Sequence, residues 1–150
     1  MKSNEFKKLF GEIVKANGFE RAFGGWFKES EECIIVLDLQ KSNYGDYYQL
    51  MTKIYVQGVF GNKYSRSKEL VKRNGGNIFR GEPPQYKDVF DFDTLIDDDR
   101  RKQRLEELFS EFMNPFIDKA LSKSGIKELA DKDQIFLLPA VKEELKFLSD

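Results

Sequence analysis

CIIVLDLQKSNYGDYYQLMTKIYV, residues 33–56, holds two apolar, β-branched and ring-rich runs on either side of a polar turn. That pattern predicts an antiparallel hairpin. From Cys33 to Leu39 only Asp38 interrupts the apolar run, so both alternations are dry, and a strand over 33–40 belongs in the middle of a sheet covered on two faces. The second strand, over 47–57, sets Tyr48, Leu50, Thr52, Ile54 and Val56 against Gln49, Met51, Lys53 and Gln57, which gives one drier and one wetter face. Asn43 to Asp46 make the turn, with Gly45 expected at positive φ.

Before the hairpin, residues 20–28 read as one more strand, joined to it by a tight turn at Glu29 to Glu32; Gly24 and Gly25 mark a bend or turn. Ahead of that strand, Phe6, Leu9, Phe10, Ile13 and Val14 recur at three and four residues, the stripe of a helix from about Ser3 to Ala16. Gly18 suits a left-handed end to this helix, and Phe19 folds back onto the last turn. After the hairpin, residues 61–80 carry Lys63, Arg66, Lys68, Lys72, Arg73 and Arg80 against Glu69, a local charge of +5. A short helix at 68–73 would have only Leu70 and Val71 as apolar residues, which predicts a surface excursion. Ile78 to Arg80 reads as a short strand, and Pro83 and Pro84 impose an extended segment that leads Tyr86 to Phe92 inward.

Asp93 or Thr94 is the expected cap of a second helix, with Leu105, Leu108, Phe109, Phe112, Met113, Phe116 and Ile117 on its apolar stripe and Pro115 kinking or restarting it. Ile126 to Ala130 suggests further helix, 134–138 (QIFLL) a strand or buried extended segment, and Pro139 the first position of a last helix with Val141, Leu145 and Leu148 inside. The expected fold class is α+β: an antiparallel β-meander of three to five strands packed against N-terminal and C-terminal helices, as one domain over 1–150.

A chain of 150 residues, 40% hydrophobic and 34% charged, with 14 Phe and 6 Tyr, can bury a full core and is not disordered. A formal charge of −1 gives no long-range field toward nucleic acid or an anionic membrane. No secretory h-region and no run of about 18 apolar residues is present, so a cytoplasmic location is expected, with no membrane partner. Cys33 is the only cysteine, expected as a buried, inert thiol. The absence of histidine removes Ser-His-Asp and Cys-His catalysis and every His-based zinc site.

Among candidate sites, Asp88, Asp91, Asp93, Asp97, Asp98 and Asp99 offer oxygen ligands for a divalent metal, but their spacing is not that of an EF-hand, and aspartates at a helix start also serve its free N–H groups. The basic stretch 63–80, with Tyr64 and Phe79, suits an anion or a single strand of nucleic acid, or simply a solvated face. Ser42 beside Lys41 does not make a Ser-Lys pair, because neighbouring strand residues point to opposite faces.

Three stretches carry a resemblance: NGFERAFGGWFKES (17–30), LDLQKSNYGDYY (37–48) and NPFIDKALSKSGIKELADKDQIFLLPAVKEEL (114–145). Through Trp26, Gln40, Lys41, Ser42 and the LLPAVKEEL tail, the chain resembles the small bacterial domains grouped as domain of unknown function 4304. The resemblance implies a fold and brings no catalytic residues. It also sets GWFKES beside LDLQKS, so that Trp26 would either floor a groove rimmed by Gln40, Lys41 and Ser42 or fill the core beside the second strand, with Gln40 satisfying backbone groups at the hairpin. The expected partner-binding residues are Trp26, Gln40, Lys41, Ser42, Tyr44 and Arg80, with no metal and no cofactor. The expected function is non-catalytic binding of another protein, toxin-neutralising or regulatory, by a monomer or weak homodimer with nucleic acid not its partner. The alternative is a metal-dependent phosphoryl or nucleic-acid hydrolase built on the 88–99 aspartates, with Arg80 or Arg100 as anion clamp.

Overall fold

A computed structural model describes residues 1–72 and 75–148, with side chains described as far as Lys146. Arg73 of the basic stretch and the side chain of Leu148 lie outside the described residues. The sheet has five antiparallel strands in chain order, β1 (Glu20–Ala22), β2 (Gly25–Glu29), β3 (Cys33–Lys41), β4 (Tyr48–Val56) and β5 (Ile78–Gly81). β3 and β4 pair over their whole length, from Cys33 against Val56 to Lys41 against Tyr48. The stretch read as one strand over 20–28 is two, folded into a hairpin at Phe23 and Gly24, whose φ values are 53° and 82°. Phenylalanine rarely takes that left-handed conformation, so the turn gave only its glycine signal in the sequence.

The odd-numbered residues of β3, with Trp26 and the even-numbered residues of β4, face the larger core. Helix α1 (Ser3–Ala16) lays Phe6, Phe10, Ile13 and Val14 on it and ends at Gly18 (φ 92°), where Phe19 N–H donates to Val14 O at 3.2 Å. Rings organise this side: Phe10 meets Trp26 at 5.1 Å and Phe109 at 6.0 Å between centroids, and Phe6 meets Phe90 at 5.5 Å. Helices α3 (Asp98–Leu108), α4 (Asn114–Ala120), α5 (Lys123–Asp131) and α6 (Pro139–Glu144) complete the layer. α3 begins later than expected, with Asp97 in the N-cap position, because Asp93 to Ile96 are committed to the loop that precedes it. A π-helical segment, Phe109–Met113, sits between α3 and α4, and Pro115 stands in the first turn of α4, where its missing N–H leaves no helical hydrogen bond unmade. Residues 134–138 form no strand; Leu137 is buried and Phe136 exposed in an irregular run.

The second face of the sheet corrects two expectations. The segment taken as a surface excursion is its cover: α2 (Lys68–Lys72) packs Leu70 and Val71 on Phe27, Ile34, Val36 and Tyr55. Two apolar side chains suffice because the strip is narrow and polar anchors flank it. The Tyr55 hydroxyl donates to Leu70 O at 2.7 Å, Gln57 exchanges two hydrogen bonds with the Tyr64 backbone, and Arg66 pairs with Glu29 at 2.6 Å. Gly25 permits the approach, since a Cβ there would stand 2.9 Å from Val71 Cγ1. The wetter face of β4 is correspondingly drier than its sequence implies, with Lys53 and Tyr55 buried. At the β3–β4 turn, Gly45 is not at positive φ; the loop is wider, closed by Ser42 N–H to Tyr47 O at 2.9 Å.

Trp26→Ala should cost about 3 to 5 kcal/mol in urea unfolding, the range for emptying a large core site. Burial pushes the Cys33 thiol up to about 12, with Glu32 adding to the shift. At pH 8 only about one thiol in ten thousand is then ionised, so Ellman's reagent should label Cys33 in urea and not in the native protein.

Candidate functional site

Three of the six expected site residues, Lys41, Ser42 and Tyr44, gather at the β3–β4 hairpin end. The Lys41 ammonium bonds Asp46 at 2.7 Å and lies 5.5 Å from the Tyr48 ring and 5.6 Å from that of Phe92. Ser42 Oγ accepts from the Tyr44 N–H at 3.0 Å, shaping the loop that projects Tyr44, which is 97% exposed. A second segment is tied alongside. Phe92 N–H donates to Asp46 O at 2.8 Å, and Tyr47 bridges Asp91. Arg101, buried, folds that segment by donating to the carbonyls of Asp88, Val89, Asp91 and Thr94 at 2.6 to 3.2 Å. Immediately beyond Thr94 stands Leu95, 98% exposed. A cleft of about 490 Å³ between Tyr47, Gln49, Glu82, Asp88 and Asp91 runs beside the hairpin.

The aspartates are dispersed around this end. Asp88 bonds Arg104, Asp91 accepts from the Asp93 N–H at 3.0 Å, and Asp98 pairs with the N-terminal ammonium at 2.9 Å. Asp93, Asp97 and Asp99 form no ion pair among the described residues. No three carboxylates among the described residues converge on one metal position. The surface is thus acidic, solvated and studded with two bare apolar side chains.

Gln40 belongs to a different constellation, on the second face. Its amide donates to Asp38 Oδ2 at 2.8 Å; Asp38 is wholly buried, with Lys53 Nζ at 3.8 Å and Lys72 Nζ at 3.6 Å. Lys53 also donates to Val71 O, which fastens the last turn of α2 to the sheet. Burial pushes the Lys53 ammonium pKa down from 10.5, Asp38 pulls it back up, and Lys72 adds to the lowering. Because Trp26 registers with Leu37, it shares the larger core's face, and Gln40 lies on the other. The groove anticipated between them does not form. Arg80, in register with Thr52, stacks its guanidinium 4.6 Å from the Phe116 ring, away from the hairpin loop.

Arg101, Asp38 and Lys53 are the polar residues whose importance the sequence hid. Asp38 interrupting a dry strand was a visible signal; Arg101, amid RRKQR, gave none.

Removing Asp38 strands two cations. Asp38→Ala should therefore cost about 3 to 5 kcal/mol in urea unfolding, and Lys53→Met less than about half of that, because Lys72 still faces the carboxylate. The folded pKa of Lys53 lies below 10.5, so the unfolded chain holds that proton more tightly. Its destabilising effect is full below the folded pKa and fades as pH rises toward 10.5, so wild type should gain on Lys53→Met over that window.

Neither curated proteins nor solved structures gave a match to this chain. A family model does: matched over residues 10–119 by the family described as a domain of unknown function (DUF4304), the chain belongs to that family.

Proposed function

We propose that the chain is a cytoplasmic, non-catalytic bacterial binding module, neutralising or regulatory, whose contact surface is the end formed by the β3–β4 hairpin and residues 91–99. The observation that carries this reading is the pair Tyr44 and Leu95, 97% and 98% exposed, on two loops bonded to each other. Large apolar side chains held bare on shaped loops are the anchors from which protein interfaces are built. Around them stand Asp93, Asp97 and Asp99 without ion pairs among the described residues, so the partner's matching surface is basic. Lys41 and Ser42 shape the hairpin loop that presents Tyr44. Gln40, through Asp38, acts on the sheet beneath it. No helix among the described residues is long and apolar enough to cross a membrane.

A photo-crosslinking side chain placed at position 44 or 95 should trap the same basic protein in cells, and one at the exposed position 136 should not. With that protein purified, Tyr44→Ala should weaken binding by about 2 kcal/mol, roughly thirtyfold, while leaving the unfolding midpoint unchanged. Identical crosslinks at position 136, or undiminished affinity of Tyr44→Ala, would sink the proposal.

A further inference from the structure

Trp26 floors a groove of its own on the far side of α1, about 490 Å³ in volume and walled by α1 and β1. On α1 the wall is the stripe Lys8, Gly11, Glu12 and Lys15, and on β1 it includes Arg21, whose guanidinium lies 4.6 Å from the Trp26 ring. The indole is 1% exposed, yet its N–H has no hydrogen-bond partner among the described residues and is not sealed from solvent. A tryptophan so deeply buried usually finds an acceptor.

Gly11 explains why the N–H stays open. A Cβ at this position would stand 3.8 Å from Nε1 and 3.5 Å from Cζ2, ordinary contact distances, and its φ is not positive. No steric or backbone reason therefore requires glycine in the middle of this helix, where alanine is the more stable choice. Its effect is to leave the Nε1 edge of the indole without a side chain from α1 against it.

Lys8, Lys15 and Arg21 form no ion pair among the described residues, and with Lys7 they outnumber Glu12 and Glu20 in the lining, so the rim is net positive. Lys8 and Lys15 are two turns apart, about 10 Å along the helix, with Glu12 between them. A single phosphate at the centre would meet the Glu12 carboxylate. A ligand that brings its negative charges separately to the two ends, with backbone carbonyls between them to accept from the indole, avoids it. Three residues of extended chain span about 10 Å.

We propose that this groove binds an acidic peptide segment of a partner protein, its carboxylates on Lys8 and Lys15 and a backbone carbonyl on the Trp26 indole. The site is separate from the hairpin end, opposite to it in charge, and independent of that surface's function.

Trp26 is the only tryptophan, so its fluorescence reports the site directly. The probe is a glutamate-rich peptide of about ten residues, titrated into the intact protein by fluorescence and calorimetry. Expected are a change in Trp26 emission with Kd below about 1 mM at low salt, weakening as salt rises, and no response to inorganic phosphate at the same concentration. Lys8→Glu with Lys15→Glu, both exposed, should raise Kd at least about tenfold. Gly11→Met fills the groove without changing charge, and should weaken binding about fivefold or more while leaving the melting temperature equal or higher. Tyr44→Ala should bind the peptide like wild type, which separates this site from the hairpin end. Absence of binding, an equal response to phosphate, binding without a change in Trp26 emission, or insensitivity to these groove variants would overturn the proposal. So would a reversible dimer in sedimentation that the Lys8 and Lys15 variants abolish, which would seat a second copy in the groove.

Discussion

The pairing of β3 with β4, unbroken from Cys33 against Val56 to Lys41 against Tyr48, fixes where everything else can go. A strand that is apolar on both alternations must be covered twice. The larger cover comes from α1 and the helices after residue 97, the smaller from α2 and the chain leading to it. A shift of one residue in this register would exchange the two faces, moving Ile35 and Leu37 from the ring-rich core to the narrow strip beneath α2. It would also carry Asp38 into the larger core, away from Lys53 and Lys72.

Asp38 is therefore a register mark as well as a buried charge. On its own face it meets Lys53, Lys72 and the Gln40 amide, while the same Lys53 holds the Val71 carbonyl. Buried ion pairs contribute little net stability compared with apolar packing, but they penalise every arrangement that leaves one partner alone. Arg101 performs a comparable task at the edge of the other layer. Its four carbonyl acceptors lie along residues 88–94, so a segment without regular structure acquires one shape. The loop that carries Leu95 is positioned by that buried guanidinium.

The elements legible in the sequence were those whose signal is local. α1, the left-handed Gly18, the β3–β4 pair, the strand at Ile78 and the helix opened by Pro139 all follow from periodicity, glycine or proline. The misses have causes that the local pattern does not show. α2 looked too polar to be structural because its anchors, Tyr55 and Lys53, lie elsewhere in the chain. The β1–β2 turn was obscured because phenylalanine occupies a conformation that favours glycine. The site residues divide similarly. Lys41, Ser42 and Tyr44 do share the hairpin end, as adjacency in sequence implied, whereas Trp26, Gln40 and Arg80 were separated by strand parity and by a register that only the folded sheet sets.

A formal charge of −1 conceals how the charges are arranged. Carboxylates collect at the hairpin end and the start of α3, and lysines that form no ion pair among the described residues line the outer wall of α1. At physiological salt a charge is felt over about 8 Å, less than the length of α1, so the two surfaces do not cancel each other for a partner at close range. The Tyr48 hydroxyl, which donates to Ser3 O at 3.3 Å, links them, and so does the N-terminal ammonium, which pairs with Asp98 at 2.9 Å and joins the start of α1 to the start of α3. That contact places a positive charge among the aspartates at the start of α3, where they serve the helix dipole. Farther along α1, the acidic members of the groove wall are Glu12 and Glu20, and Glu20 is itself engaged by Arg66 at 3.4 Å. Near-neutrality overall is thus compatible with two local surfaces of opposite sign.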